Sequence, residues 1–300
     1  MMIITDSASD ILQSEAEALD VRLVQLDIML GGEHFDRNTH EMFDRFYTML
    51  AERDDFPTTS QPSPDAYLAL YEEARASDED VLVICLSGAL SGTIESARIA
   101  AGLSGWEDRI TIMDTRHAIA SQRLLVEEAA RLRDEGKTPA EILPRLEYLR
   151  DHIRICGVLD KLEYLRRGGR IPSSVAYAGA KLDVKPLLTI GPDGKLSLSG
   201  VARGRKKGLK QLAEYFAKRV DDDGPIKYVV IGNADCPKDA ERLKDALSKI
   251  DDSILFLESS IGPVIGSHVG PGMIAVVFWG GDKREQLSVA DRIARRVKQG

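Results

Sequence analysis

Short apolar runs alternate with amphipathic stretches along the first half of the chain. Residues 81–86 form a continuous apolar, β-branched run that predicts a strand buried on both faces, and from Ile94 the apolar spacing becomes helical. Residues 1–4 and 109–115 predict further strands, and each is followed by a helical pattern. Strands and helices in this order imply a parallel sheet with covering helices.

Other stretches of the first half have simpler patterns. Residues 21–30 alternate apolar and polar positions, which predicts a single strand, the second of the chain. A hairpin-type turn with two glycines follows at 31–33. Residues 39–50 predict a helix with one apolar face. The proline- and hydroxyl-rich residues 56–65 predict a stiff, extended loop that ends at the cap of a helix over 65–76.

The pattern changes near residue 155. Residues 155–159 predict a strand, and the apolar runs 184–190 and 195–201 flank a Gly-Pro-Asp-Gly turn, which predicts a hairpin. Helix and strand units follow, so the prediction is an α/β protein of two domains: a parallel-sheet domain at 1–154 and a mixed α/β domain at 155–300. The terminal amphipathic helix over 284–298 is free to pack back on the first domain.

Composition restricts the class of protein. A chain of 300 residues with 43% hydrophobic content is long enough for two globular cores, and a net charge of -8 argues against a general nucleic-acid binder. The three cysteines, Cys85, Cys156 and Cys236, are odd in number, far apart and set in apolar strand-like runs, so we interpret them as small buried core residues with free thiols, which favours a reducing cytosol. Neither a signal peptide nor a membrane span is visible, so we expect a soluble cytoplasmic protein.

A turn rich in hydroxyls and glycine follows the strand at 81–86. Ser91, Gly92 and Thr93 lie where the next helix begins, and free N–H groups at a helix start favour an anion. The alternative is that Ser91 or Thr93 only caps the helix. Asp6, which ends the first strand, is more typical of a helix cap than of a metal ligand.

A second polar feature is a histidine among glycines and prolines. The pattern of residues 262–273 predicts a shaped loop around His268, whose imidazole is able to donate a hydrogen bond to a carboxylate. The alternative is a structural histidine. The hydroxyls of residues 58–60 are further donors, and no nucleophile with an adjacent base is apparent, which favours binding of one small anion over catalysis.

Several blocks along the chain resemble, in order, the motifs of the DegV family. The resemblance runs from the first strand nearly to the last. Its blocks are Thr5-Asp6-Ser7, Thr59-Ser60-Gln61-Pro62, Leu90-Ser91-Gly92-Thr93, Leu162-Glu163-Tyr164-Leu165, Arg167-Gly168-Gly169-Arg170-Ile171, Lys185-Pro186-Leu187-Leu188, Val201-Ala202-Arg203, Gly262-Pro263-Val264 and His268 followed by Gly270-Pro271-Gly272.

This resemblance implies a function in lipid binding. A long-chain fatty acid such as palmitate would lie between the two domains, with its tail in an apolar tunnel and its carboxylate bound by Ser60, with Thr59 beside it, Ser91 and His268. The family resemblance implies no catalytic residue, metal or cofactor. In bacteria with a fatty acid kinase, similar proteins present the acid to a separate ATP-dependent subunit, receive acyl phosphate and pass it toward phospholipid synthesis, with only transient membrane contact.

Two features leave other interpretations open. Arg203 would belong to the docking surface for the kinase, while the basic cluster 203–207 is otherwise a solvated helix flank. The chain departs from the family pattern at Gly88, Val269 and residues 121–123, which affects the shape of the pocket. The alternatives are a hydrolase or phosphotransferase that uses Ser91 with His268, and a regulatory protein with structural lipid.

Overall fold

A computed structural model describes residues 1–170 and 184–284 of the chain. Most of the helix predicted over 284–298 lies outside these residues. In chain order the strands are β1 (Met2–Asp6), β2 (Val21–Val24), β3 (Asp27–Leu30), β4 (Glu33–His34), β5 (Thr58–Ser60), β6 (Val81–Cys85), β7 (Ile110–Asp114), β8 (Ile153–Val158), β9 (Val184–Ile190), β10 (Leu196–Arg203), β11 (Tyr228–Asn233), β12 (Leu255–Ser260) and β13 (Ile274–Trp279).

The described residues also form α-helices, two of which, at 163–167 and 263–269, were not predicted. They are α1 (Gln13–Ala18), α2 (His40–Glu52), α3 (Pro64–Ala76), α4 (Thr93–Ser104), α5 (Ile119–Asp134), α6 (Pro139–His152), α7 (Glu163–Arg167), α8 (Arg205–Ala217), α9 (Pro237–Ser248) and α10 (Pro263–Val269). None of these helices has the length and apolar character that crossing a membrane requires.

The first sheet is parallel, as predicted, with strand order β2-β1-β6-β7. Every residue of β6 is buried, and its side chains alternate between two cores. Leu82 and Ile84 belong to the core on the α5 side, while Val83 and Cys85 pack with Tyr67 of α3 on the other side. The prediction of a strand buried on both faces is therefore confirmed.

The single strand predicted over residues 21–30 is wrong. The chain forms β2 in the parallel sheet, turns at Gln25 and Leu26, and enters a separate antiparallel sheet as β3, between β4 and β5. At this turn the Leu26 N–H donates to Ser7 Oγ at 2.9 Å, which holds the turn next to the end of β1. The loop predicted over 56–65 also contains a strand, because Thr58–Ser60 pairs with β3 as β5.

The second sheet is mixed and has the strand order β10-β9-β8-β13-β11-β12. Helices α8 and α9 cover one face, where Val158 and Val276 pack with Leu212 and Leu243. The opposite face, which includes Ile155, lies in the same hydrophobic core as residues of β1 and β6. The two sheets therefore share one core, and the predicted domain boundary near residue 155 falls within β8.

The loop predicted around His268 is also wrong. Residues 263–269 form α10, with Gly262 before it, Pro263 in its first turn and Gly270, at φ +71°, after its last residue. The glycines and proline thus mark the two ends of a short helix. The hairpin of β9 and β10 is confirmed, and its turn closes with a hydrogen bond from the Gly191 N–H to the Lys195 carbonyl at 2.9 Å.

The three cysteines carry free thiols. Cys85 and Cys156 are buried in strands, in agreement with their interpretation as small core residues. Cys236 is only partly buried and precedes the first turn of α9, so it lies outside the strand-like setting expected for it.

One buried hydrogen bond joins the helices of the first half to the segment before α10. The Tyr47 hydroxyl on α2 donates to the Ile261 carbonyl at 2.8 Å. We expect Tyr47→Phe to lower the free energy of unfolding by about 1–2 kcal/mol, because the buried carbonyl loses its donor. Equilibrium urea unfolding measures the change. Tyr148→Phe, on a ring that is 48% exposed, is the control, and equal midpoints for all three proteins would contradict the prediction.

Candidate functional site

A cavity of about 400 Å³ lies in the core that the two sheets share, within the size range of small-molecule sites. Most of its wall is apolar. The loop after β6 contributes Leu86 and Leu90, α5 contributes Ile119, and β8 and β9 contribute Ile155 and Leu188. Helix α10 closes a further side with Val264, Ile265 and Val269. An amphipathic ligand with a long apolar part therefore finds matching walls here.

The polar residues that line the cavity come from five different segments of the chain. They lie on β5 and just after it, just before α4, after α7, on β9 and near the end of α10: Thr59, Ser60, Gln61, Ser91, Arg170, Thr189 and His268. Ser60, Ser91, His268 and Thr59, the residues that sequence analysis assigned to a carboxylate, all contribute to this one cavity. The structure thus brings together groups that are more than 200 positions apart in sequence.

The closest contact among these polar groups joins Thr59 to His268. Thr59 Oγ1 lies 2.9 Å from His268 Nε2, which is a hydrogen bond. Side chains alternate along β5, so Thr59 turns inward and is half-buried, while Ser60 is exposed at the opening. The sequence analysis assigned Ser60 as the main ligand of the carboxylate, with Thr59 beside it. In the structure it is Thr59 that contacts His268 directly.

Burial keeps the imidazole of His268 neutral. Loss of solvent, and to a smaller extent the positive charge of Arg170, lower the pKa of His268 from 6.5 to about 4. Nδ1 is buried and lacks a hydrogen-bond partner within the described part of the chain. It faces Gly168, where a Cβ would collide with the ring, so the glycine after α7 is what allows this close approach.

Ser91 lies one residue before the capping position of α4. Its Oγ is 2.9 Å from Thr93 Oγ1 and accepts a hydrogen bond from the Thr93 N–H at 3.3 Å. The serine therefore both supports the start of the helix and lines the cavity. Its two predicted roles, helix capping and anion binding, are compatible. Gln61 lies beside Gly92 and donates to Ser96 Oγ at 2.9 Å, which ties β5 to the same helix.

Arg170 is a site residue that the sequence assignment omitted. Its Nη1 donates to the Gly168 carbonyl at 2.7 Å and its Nε to the Leu90 carbonyl at 3.2 Å, so the guanidinium spans the gap between α7 and the turn before α4. The side chain is exposed and lines the cavity. Arg170 therefore places a positive charge at the polar end of an otherwise apolar cavity.

The aspartates at the ends of β1 and β7 do not line this cavity. Asp6 is buried, its carboxylate accepts hydrogen bonds from the N–H groups of Ala8 and Leu86, and burial raises its pKa to about 6. Asp114 accepts from the N–H groups of Gly88 and Arg116. Within residues 1–170 and 184–284, no group of three His, Cys, Asp or Glu side chains has the arrangement of a metal site.

Arg203 lies at the end of β10 and does not line the cavity. Its side chain is exposed and, among the described residues, makes no hydrogen bond or salt bridge. The neighbouring Arg205 is instead engaged, because its Nε donates to Asp239 at 2.7 Å. The basic cluster 203–207 therefore divides into a structural member and an exposed group formed by Arg203, Lys206 and Lys207.

Fold and site together define a two-domain α/β protein whose core encloses an apolar cavity with a polar end. The profile of the family described as "Uncharacterised protein, DegV family" matches residues 1–280. A DegV domain-containing protein of Clostridium perfringens is 35% identical over 287 residues, which cover 94% of this chain and 98% of the relative. The chain belongs to the DegV family.

Solved structures show the same fold. A DegV family protein from Thermus thermophilus, described for its fatty acid binding, superposes with a TM-score of 0.80 and 30% identity, covering 93% of this chain and 99% of that one. DegV from Bacillus subtilis, described as a fatty acid binding protein, gives a TM-score of 0.81 at 27% identity and covers 93% and 99%. The predicted two-domain α/β architecture is thereby confirmed.

The neutral state of His268 is directly measurable. We expect the imidazole signals of His268, assigned by their loss in His268→Gln, to show no titration in ligand-free protein as pH falls from 8 to 5, because its pKa lies at about 4. Nuclear magnetic resonance of the ring carbons and nitrogens follows this. A titration midpoint near 6.5 would contradict the burial argument.

The same pKa shift has a consequence for stability. In the unfolded chain the imidazole titrates near 6.5, so between pH 6.5 and 4 the unfolded state binds the proton that the folded state excludes. The contribution of His268 is therefore complete above pH 6.5 and is lost progressively toward pH 4. Unfolding of His268→Gln should accordingly depend less on pH in this window than unfolding of the wild type.

Proposed function

We propose that this protein binds a long-chain fatty acid, with the carboxylate at the polar end of the cavity and the acyl chain along its apolar walls. The observation that carries the proposal is the convergence of Thr59, Ser91 and His268 on one end of a cavity that is otherwise apolar. The relatives from Thermus thermophilus and Bacillus subtilis, which are described as binding fatty acids, support the same ligand class.

The acyl chain would supply most of the affinity. Burial of a methylene group contributes about 0.8 kcal/mol, so a sixteen-carbon tail gives on the order of 10 kcal/mol before the cost of ordering the ligand. The apolar walls contributed by both sheets meet this requirement. These walls favour an aliphatic chain, but they do not determine in which direction the chain lies in the cavity.

The polar end would orient the ligand. A buried carboxylate without donors is costly, and the hydroxyls of Thr59, Ser60 and Ser91 and the imidazole of His268 are the donors available here. The guanidinium of Arg170 adds a positive charge. A bound carboxylate would favour the protonated imidazole, which opposes the effect of burial on the pKa of His268.

The exposure of this end supports a role in presenting the ligand to a second protein. Ser60 and Arg170 are exposed, so a head group bound there would remain within reach of another protein while its tail is enclosed. In the proposed reaction the carboxylate attacks the γ-phosphate of ATP on a separate kinase subunit, ADP leaves, and acyl phosphate returns for phospholipid synthesis. The free cysteines support a cytoplasmic location.

The exposed basic group at residues 203, 206 and 207 is the proposed docking surface for that kinase. It stands out because the chain as a whole carries a net charge of -8. Complementary charge of this kind steers association and sets orientation more than it adds affinity. Arg203, which has no partner among the described residues, is able to engage an acidic group without first breaking an internal salt bridge.

A hydrolase or phosphotransferase that uses Ser91 with His268 receives no support from the geometry. Nucleophilic catalysis requires a base hydrogen-bonded to the nucleophile and oriented by a third group. His268 Nε2 is instead bonded to Thr59, and Nδ1 has no orienting partner within the described residues. The lipid-binding function is therefore the better match to these contacts.

Solvent extraction of purified protein followed by mass spectrometry tests the proposal. We expect the wild type to release a fatty acid, and Thr59→Val and Ser91→Ala to bind it at least about tenfold more weakly, since each removes a hydrogen bond to a charged group. Thr58→Val is the matched control, because Thr58 is exposed on the same strand and does not line the cavity. Protein that binds no fatty acid would refute the proposal.

The docking surface is tested separately. We expect Arg203→Glu to reduce transfer of radiolabelled phosphate from ATP to the bound fatty acid, catalysed by a bacterial fatty acid kinase subunit, by about tenfold or more through charge reversal. The amount of extracted fatty acid should stay unchanged. Lys249→Glu, an exposed cation outside the basic group, is the control. Equal transfer by both variants would argue against this surface.

A further inference from the structure

The part of the cavity wall formed by β8 contains a position without a side chain, Gly157. Ile155, Gly157 and Leu159 alternate along and just after β8, and all three line the cavity. Gly157 is paired with Ala275 on β13, another small residue. This part of the sheet therefore leaves a space between the large neighbours on either side.

The side chain of Met273 fills that space. If Gly157 carried a Cβ, this atom would lie 2.5 Å from the terminal methyl of Met273, 3.3 Å from the Ile274 carbonyl oxygen and 3.5 Å from the Ala275 Cβ. The methionine contact is far too short and involves the far end of a flexible side chain, whereas the approach to the Ile274 carbonyl oxygen is tight and would need only a small backbone adjustment. Met273 also lines the cavity, so the contact with Gly157 determines how far the thioether extends into it.

The backbone of Met273 is held by hydrogen bonds, whereas its thioether side chain makes none. The Met273 carbonyl accepts hydrogen bonds from the Ala234 N–H at 2.8 Å and from the Cys236 thiol at 3.3 Å, which fix the main chain before β13. Methionine has three rotatable side-chain bonds and fills irregular apolar gaps. A change in cavity shape at this point therefore requires a rotation of the side chain only.

We propose that Met273, seated against Gly157, is the residue that sets which acyl chains the cavity accepts. This inference rests on the proposed fatty acid site. When the thioether lies in the space over Gly157, the cavity has its full width, and when it is displaced toward the cavity, chains that are long or bent by a cis double bond lose room. The pair thus acts as an adjustable part of an otherwise rigid wall.

Two substitutions should shift selectivity in opposite directions. Met273→Ala removes the thioether and adds room, whereas Gly157→Ala drives the methionine methyl out of its space and into the cavity. In the double variant the new Cβ no longer meets the methionine, so Gly157→Ala should lose most of its effect. This dependence of one substitution on the other is the signature of a direct contact.

The experiment measures binding of saturated fatty acids of 14, 16 and 18 carbons, and of an 18-carbon acid with one cis double bond, to delipidated protein. Each additional buried methylene contributes about a fourfold gain in affinity. Relative to the wild type, the preference for 18 over 14 carbons should rise on the order of tenfold in Met273→Ala and fall by a similar factor in Gly157→Ala.

Matched controls separate this effect from general changes in stability. Met29→Ala alters an exposed methionine, and Gly102→Ala alters an exposed helical glycine whose Cβ would meet only the end of Glu107. Met273→Leu conserves volume but is stiffer, and it should narrow the range of accepted chains. If Gly157→Ala does not fold, the two Met273 variants still decide the question.

The outcomes of the test are distinct. Opposite shifts that disappear in the double variant support the inference. Fatty acid binding with the same chain preference in the wild type, Met273→Ala and Met273→Leu overturns it and leaves the proposed function intact. Absence of fatty acid binding in the wild type overturns the proposed function itself.

Discussion

The second sheet must bury both of its faces, and the rest of the molecule depends on how it does so. Its own helices cover one face, while the face that carries Ile155 and Leu188 packs in one core with β1 and β6. That shared core is incompletely filled, and the unfilled part is the cavity. A cavity of this kind needs no additional structural element, because it lies where the two halves of the protein pack against each other incompletely.

The polar end of the cavity lies where several secondary structure elements begin or end. Helix α4 begins beside Ser91, α10 ends beside His268, and the short strand β5 brings Thr59 between them. The small antiparallel sheet thus matters for the cavity despite its size, because its strand β5 supplies the hydroxyl that contacts the imidazole. Burial then keeps the histidine neutral, and Arg170 supplies positive charge from the solvent side.

Much of the fold could be predicted from the sequence because its strands have continuous apolar patterns, as in 81–86, and its hairpin has clear turn residues at 191–194. The errors have local causes. The glycines and proline near His268 mark helix ends, but they have the composition of a loop. Arg170 could not be assigned to the site, since only tertiary structure brings it to Leu90. The contact of His268 with Thr59 rather than Ser60 could not be predicted either, because it depends on which side chains of β5 point inward.

Because both sheets contribute to the wall of the cavity, an occupant would form part of the hydrophobic core. Thermodynamic linkage then couples occupancy to folding: a ligand at a hundred times its dissociation constant stabilises the native state by about 2.7 kcal/mol. Such a ligand would also contact both halves simultaneously, so their melting would merge into one cooperative transition. Thermal denaturation would then be a property of the complex as much as of the polypeptide.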